Sequence, residues 1–561
     1  VQLIWIWLAG AAATALLSAR NSRAGGWFGI AIAGLAILTS LRFLLTRVWG
    51  TIEFGEIWIE EVLIYLTMRL DTFSELMIFI IGIVALSASL ASHYRNGGRE
   101  IPVILLAAGA ASGGVLADDL ASLYVFSALL SIIVCLSLAQ LGQGRVAVQM
   151  FATIEGTAAL FLAAGVLVAA TTSSIQTDIY RQSTGLNSLS GQDWIFLPLL
   201  GGVLARCGLF PFYSWLTRAS GKLSPANAAW ILVLPIVLGL STLCRHWVWI
   251  YRLDPPLMLD VLAIVSSITV VGASYAALHT NTTKQMAVWL SISLAGYVPL
   301  SLAVFYEVSI NAAVGSLVVF GLIAPLLHLM AGRLSDLRRQ DTPQDPISIW
   351  LALFPLAVTT AFPVTIIFAS RFLLAQALVD RPVASGSLLV SFIAGGAFTT
   401  LAAMSVIERL RRTGLVSADI QWDTQKLLSG PYTAAMLAPI SVIILIGILP
   451  SFVLDLVSDA ATRVLVDTAS FYIPSLRGTF LAVLVVFIGP VLGFWLYDLN
   501  QDSPNWRWKV LGVQQLEGRN EEAWWKALRR LDPYAAARLS ILGVSRIATL
   551  VVDGVSAVLC R

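Results

Sequence analysis

A chain that is 58% hydrophobic and only 12% charged can do chemistry only through the few polar side chains set inside its apolar runs. In "ARCGLFPFYSWLTRASGKLSP", residues 205–225, Arg206 stands five residues before Pro211, with Gly208 between them and Tyr213 just beyond. An arginine at the centre of a membrane helix costs roughly 2.5–3.5 kcal/mol on insertion scales. Proline removes a backbone donor and kinks or breaks the helix. A second apolar stretch, "FPVTIIFASRF" (362–372), repeats the combination with Pro363 and Arg371. Together they describe the chemistry of ion movement, because an interrupted helix at membrane depth can line a path with backbone groups. Prolines also kink membrane helices for packing alone, and arginines near span ends snorkel to the headgroups. Three further charges are candidates. Glu155, in "FATIEGTAALFLAAG", is a proton carrier or a snorkelling, partnered carboxylate. His328, in "LIAPLLHLMAG", titrates or packs through a hydrogen bond. Lys284 opens an apolar run and marks the cytoplasmic surface. Asp118 and Asp119 sit at a span boundary, where helix capping is the preferred reading.

Positioning such residues falls to membrane helices. Apolar runs of about twenty residues, each enough to cross a hydrocarbon core of about 30 Å, recur along the 561 residues, and the mean hydropathy is +0.84. The runs are continuous and do not alternate with a period of two, which excludes a membrane β-barrel. Spans are expected near 1–19, 26–46, 74–93, 101–117, 120–141, 149–171, 194–216, 226–247, 258–279, 285–305, 309–331, 347–379 (broken), 385–407, 433–455 and 477–498. A polar stretch at about 500–535 follows, with "EEAWWKALRR" (521–530) suited to an interfacial helix. A last apolar helix, about 536–560, crosses the bilayer or lies in its interface. The run starting at Val1 lacks a basic leader and reads as a span, not a signal peptide. Four cysteines and four histidines are scattered, so no metal site or disulfide framework is expected. A net charge of +3 does not suggest nucleic acid. Loops after odd-numbered spans carry about fifteen Lys and Arg against nine after even-numbered spans, Arg69 and Arg245 among the nine. That bias places the odd loops in the cytoplasm and the N-terminus outside.

The order of these stretches resembles a known family. "RCGLFPFYSWLTRASGKLSPANAA" (206–229) is similar to K-A-x-L-F-P-F-H-x-W-L-P-x-A followed by S-P-V-S-A. That signature belongs to the antiporter-like subunits of respiratory complex I (subunit L type), the Mrp antiporters and group 4 membrane-bound hydrogenases. "RLDTFSELM" (69–77), "ADDLASLYVFSALLS" (117–131), "TKQMAVWLSISLAGY" (283–297) and "LIAPLLHLMAG" (322–332) resemble further segments of the family, and "VVDGVSAVL" (551–559) resembles the C-terminal helix of its largest complex I member. The resemblance implies an all-α polytopic membrane protein of about 14 core transmembrane helices, with two inverted five-helix repeats, broken helices 7 and 12, and C-terminal helices. It divides the chain into 1–100 (helices 1–3), 101–247 (first repeat), 258–411 (second repeat), 433–498 (C-terminal helices) and 499–561 (amphipathic cytoplasmic segment and terminal helix).

Family members pass protons along glutamates, lysines and histidines at mid-membrane, and the chain departs from that pattern. The family's glutamate aligns with Ala128, its seventh-span lysine with Arg206, its eighth-span histidine with Ile231, its eleventh-span lysine with Ala324, and its twelfth-span charge with Arg371. Arginine stays protonated and cannot replace a lysine that must release a proton. The loss at 128 also predicts that Arg206 lacks its carboxylate partner. The implied function is a non-catalytic subunit of an NADH:quinone oxidoreductase-like translocase, without a cofactor of its own, its relay lost or rerouted through His328, Glu155 and Tyr213. Its partners would be the lipid bilayer, other membrane subunits of a hetero-oligomeric complex and a cytoplasmic catalytic subunit, in a bacterial inner membrane. The alternatives are the membrane half of a two-component inorganic-carbon uptake system, and a cation/proton antiporter.

Overall fold

The computed structural model describes residues 2–46, 57–59, 64–65, 68–172, 192–253, 256–280, 282–337, 346–363, 365–380, 382–412, 431–465 and 476–502. The expected cytoplasmic segment near 500–535 from residue 503 onward, the interfacial stretch 521–530 and the last apolar helix lie outside them. The chain divides into two compact units, residues 1–496 and 497–561, and of the second only 497–502 are described.

Among the described residues the helices are α1 (Gln2–Arg20), α2 (Ser22–Thr46), α3 (Thr72–Asn96), α4 (Ile101–Leu116), α5 (Leu120–Gln140), α6 (Gly144–Thr172), α7 (Gln192–Cys207), α8 (Ser214–Ser220), α9 (Pro225–Ile231) and α10 (Leu234–Leu253). They continue as α11 (Pro256–Leu278), α12 (Thr283–Ala303), α13 (Glu307–Leu337), α14 (Pro346–Thr359), α15 (Ile366–Asp380), α16 (Pro382–Arg412), α17 (Pro431–Ile448), α18 (Pro450–Leu465) and α19 (Leu476–Asp502). The described β-structure is one short antiparallel pair, β1 (Ile57–Ile59) with β2 (Ile64–Tyr65), and an isolated bridge from Met68 to Ala117. Nine helices among the described residues are long and apolar enough to cross a bilayer, and four shorter apolar ones accompany them.

Capping residues explain several boundaries. Asp71 accepts from Ser74 N at 2.8 Å to start α3, and Gly97, at φ 68°, ends it in the left-handed region. Asp119 caps α5 by accepting from Ser122 N at 2.6 Å, the role expected of that boundary. Ser224 caps α9 with Pro225 at its first turn, where proline's missing N–H costs nothing.

Burial separates inner from outer helices. Residues Pro225–Trp247 are wholly buried, and so is 94% of the most apolar stretch of α12 and of α13, against 28% for α2 and α19. The outer helices expose Trp5, Leu38, Phe480 and Phe494, an apolar surface that suits lipid and would be costly in water. α11, α12 and α13 pack one against the next, and α13 also meets α15.

One buried ionic cluster ties this core together. Arg245 of α10 donates from Nη1 to Asp71 Oδ2 at 3.0 Å, and from Nη2 to Asp71 Oδ1 at 3.3 Å and to the Val115 carbonyl at 3.2 Å. The Ser74 hydroxyl accepts from Nη2 as well. Arg69 Nε lies 3.2 Å from Asp71 Oδ2, while Arg69 N donates to the Leu116 carbonyl at 2.7 Å. The sequence pattern put Arg69 and Arg245 among loop charges; they are 7% and 6% exposed. Both reach the Asp71 carboxylate, Arg69 from two residues away and Arg245 from α10, and a paired charge can be buried where a lone one cannot. Asp71→Asn keeps the capping oxygen and removes the charge, so it should lower stability by about 3–5 kcal/mol. Thermal unfolding in detergent measures this, and an unchanged midpoint would show that the cluster does not hold the core.

Candidate functional site

The first break begins at the end of α7. Gly208 N donates to the Ala205 carbonyl at 3.2 Å and Leu209 N to the Leu204 carbonyl at 3.1 Å, with Gly208 at φ 60°. This paired arrangement terminates a helix and needs a residue tolerant of the left-handed region. A Cβ at Gly208 would also collide with the Leu216 side chain. The groups freed by the break find partners on neighbouring elements. Phe210 N donates to Thr269 Oγ1 of α11 at 3.1 Å, and Trp215 Nε1 donates to the Ala205 carbonyl at 3.3 Å. Without water, each would otherwise carry an uncompensated desolvation cost.

Arg206 sits in the last turn of α7, where the unpaired carbonyls favour a cation. Its Nη2 lies 3.7 Å from Glu155 Oε1 of α6, with the two side chains 10% and 13% exposed. The expectation that Arg206 has no carboxylate partner is therefore corrected. The carboxylate comes from Glu155 on α6, not from position 128 on α5. At 3.7 Å the contact is an ionic pair and not a hydrogen bond, and Glu155 Oε1 accepts none from the protein. Gly239 of α10 makes room for the arginine stem, since a Cβ there would come within 3.3 Å of Arg206 Cγ and closer still to Cys207 Sγ. Beside the guanidinium is a cavity of about 30 Å³ lined by Tyr124, Ser127, Gly239 and Thr242, enough for a water molecule. Ser127 and Thr242 donate their hydroxyls to carbonyls of their own helices at 2.9 and 2.8 Å, which leaves their oxygens free to accept.

The remaining candidates fall in different surroundings. Tyr213 packs on Trp289, with ring centroids 5.3 Å apart. Lys284 Nζ donates to the Leu223 carbonyl at 3.1 Å, which fastens the turn after α8 to the start of α12. His328 is 3% exposed on α13, and its Nε2 has no protein partner. Ile231 and Ala324 are fully buried, while Ala128 is partly exposed.

Pro363 and Arg371 belong to the second break, between α14 and α15, where Ala361 adopts φ 60°. Arg371 lies with its Cζ 3.4 Å from the centroid of the Tyr297 ring and 5.7 Å from that of Phe392. Its Nη2 is buried with no hydrogen-bond partner. Gly395 of α16 admits the Tyr297 hydroxyl, which would stand 2.8 Å from a Cβ. Sequence reading missed this aromatic enclosure, because Tyr297, Arg371 and Phe392 are far apart in the chain. The only local hint is the Gly395–Gly396 pair, which marks a close approach.

A multi-pass helical membrane protein with two internally broken helices, each carrying a buried arginine, has the form of a transporter subunit. The family model described as NADH:quinone oxidoreductase/Mrp antiporter, transmembrane, matches residues 117–399, about half of the chain, and the protein belongs to that family. It is 24% identical over 383 residues to NAD(P)H-quinone oxidoreductase chain 4 1 of Synechococcus elongatus, covering 65% of this chain and 71% of that one. Its fold is similar to a chain of the Mrp complex from Dietzia sp., with a TM-score of 0.74 at 18% identity, covering 96% of this chain and 62% of that one. It is also similar to a chain of respiratory complex I from Thermus thermophilus with bound NADH, with a TM-score of 0.68 at 20% identity, covering 82% and 99%. This chain thus spans about three-fifths of the Mrp-complex chain and nearly all of the complex I chain.

Gly208→Ala should sharply reduce the folded yield, and adding Leu216→Ala should recover only part of it, because the backbone strain remains; full recovery in size-exclusion chromatography would leave sterics as the sole cause. For Glu155→Gln and Arg206→Gln, a double-mutant cycle of thermal stability should give a favourable coupling of about 0.5–3 kcal/mol, whereas additive effects would mean that the pair does not interact.

Proposed function

We propose that the protein is an antiporter-like membrane subunit of a multisubunit energy-converting or ion-translocating assembly, in which it fills and braces a position without carrying a complete proton relay. The observation behind this reading is the chemistry at the two breaks. Both hold an arginine, which does not release its proton. The positions aligned with relay groups at 231 and 324 are buried and apolar. Glu155 pairs with Arg206, and one carboxylate beside a fixed cation makes an ion pair, not a chain of exchangeable sites. Neighbouring subunits would occupy the outer apolar faces, in a bacterial inner membrane with the N-terminus outside, and the five-segment division at 100, 247, 411 and 498 would follow the family's repeats.

Purification of the tagged chain in mild detergent should bring down other membrane subunits. Proton uptake by vesicles carrying the native assembly should be unchanged in Arg206→Ala. A chain that purifies alone and drives cation/proton exchange abolished by Arg206→Ala would overturn the proposal.

A further inference from the structure

We propose that Arg371 holds a single chloride-sized anion in the cavity at the second helix break, a site that stands whether or not the subunit conducts protons. A buried guanidinium must be neutralised or solvated, and the cost of leaving it bare is several kcal/mol. Arg206 meets that demand with Glu155 and with the carbonyl end of its own half-helix. Arg371 has neither. It is the sixth residue of α15, away from the helix's carbonyl end, and its partners among the described residues are the rings of Tyr297 and Phe392. No carboxylate within 4.0 Å pairs with it among those residues, although it is only 5% exposed.

Stacking leaves the edge of the guanidinium to do the binding. A ring on the face of the guanidinium attracts the cation but accepts nothing from its N–H groups, which lie in the plane. Nη2 therefore keeps its donors in a dry setting. Arg371 and Phe392 border a cavity of about 10 Å³, together with Thr359, Ala361, Gly396 and Gly489. That volume admits about one water-sized body, which selects a monatomic anion over a planar oxyanion such as hydrogencarbonate. Gly396 and Gly489 let two helices meet closely along one wall of the cavity: a Cβ at Gly489 would come within 2.8 Å of the Ile393 carbonyl, whereas one at Gly396 would stand 3.5 Å from Gly489 Cα and 3.6 Å from Pro490 Cδ. Those at Gly396 are ordinary contacts, so an alanine fits there and shrinks the cavity.

Thermal unfolding of the purified protein, titrated with sodium chloride against sodium gluconate at constant ionic strength, tests the site. The native protein should show a saturable rise in midpoint with chloride and with bromide. Arg371→Gln should abolish the rise. Gly396→Ala, which keeps the charge and fills the space, should weaken it, and this variant stays informative if Arg371→Gln fails to fold. An equal response to chloride and gluconate, or a chloride response retained in both variants, would overturn the proposal. Stabilisation by hydrogencarbonate and not by chloride would overturn the assignment of a monatomic anion.

Discussion

A polypeptide that breaks its helices inside a membrane must still satisfy each backbone group it frees, and no water is at hand to do so. The first break meets this rule by borrowing. Thr269 accepts from Phe210 N, Trp215 supplies a donor to the Ala205 carbonyl, and the turn at Gly208 closes two further bonds. The carbonyl end of α7 then becomes a place where a cation is welcome, and Arg206 occupies it. The charge is housed by the break, and the break is held by elements distant in sequence.

The two breaks resolve the same electrostatic problem in different ways. At the first, a carboxylate on α6 and a helix end share the compensation, with room beside them for water. At the second, aromatic faces enclose the cation and its in-plane donors remain open. A fixed charge in either setting changes the local potential without changing its own proton occupancy.

A third set of buried charges lies away from both breaks. Asp71 caps α3 and simultaneously receives Arg245 and Arg69. One carboxylate thus joins the start of α3, the end of α4 and the buried α10. Charges arranged in this way are costly to bury singly and tolerable as a group.

Composition and spacing alone determined the class of this protein. Long apolar runs can cross a bilayer in few ways, and Pro, Gly and Asp at the right places set helix ends by local geometry. Asp119, Gly208 and the gap around Pro363 were legible for that reason. The partners of the buried charges were not. Glu155 reaches Arg206 from another helix, Asp71 meets Arg245 across 174 residues, and Arg371 stacks on rings from α12 and α16. An apolar helix carries no mark of the face its neighbour will cover, so which carboxylate or ring meets each arginine is decided only when the helices pack.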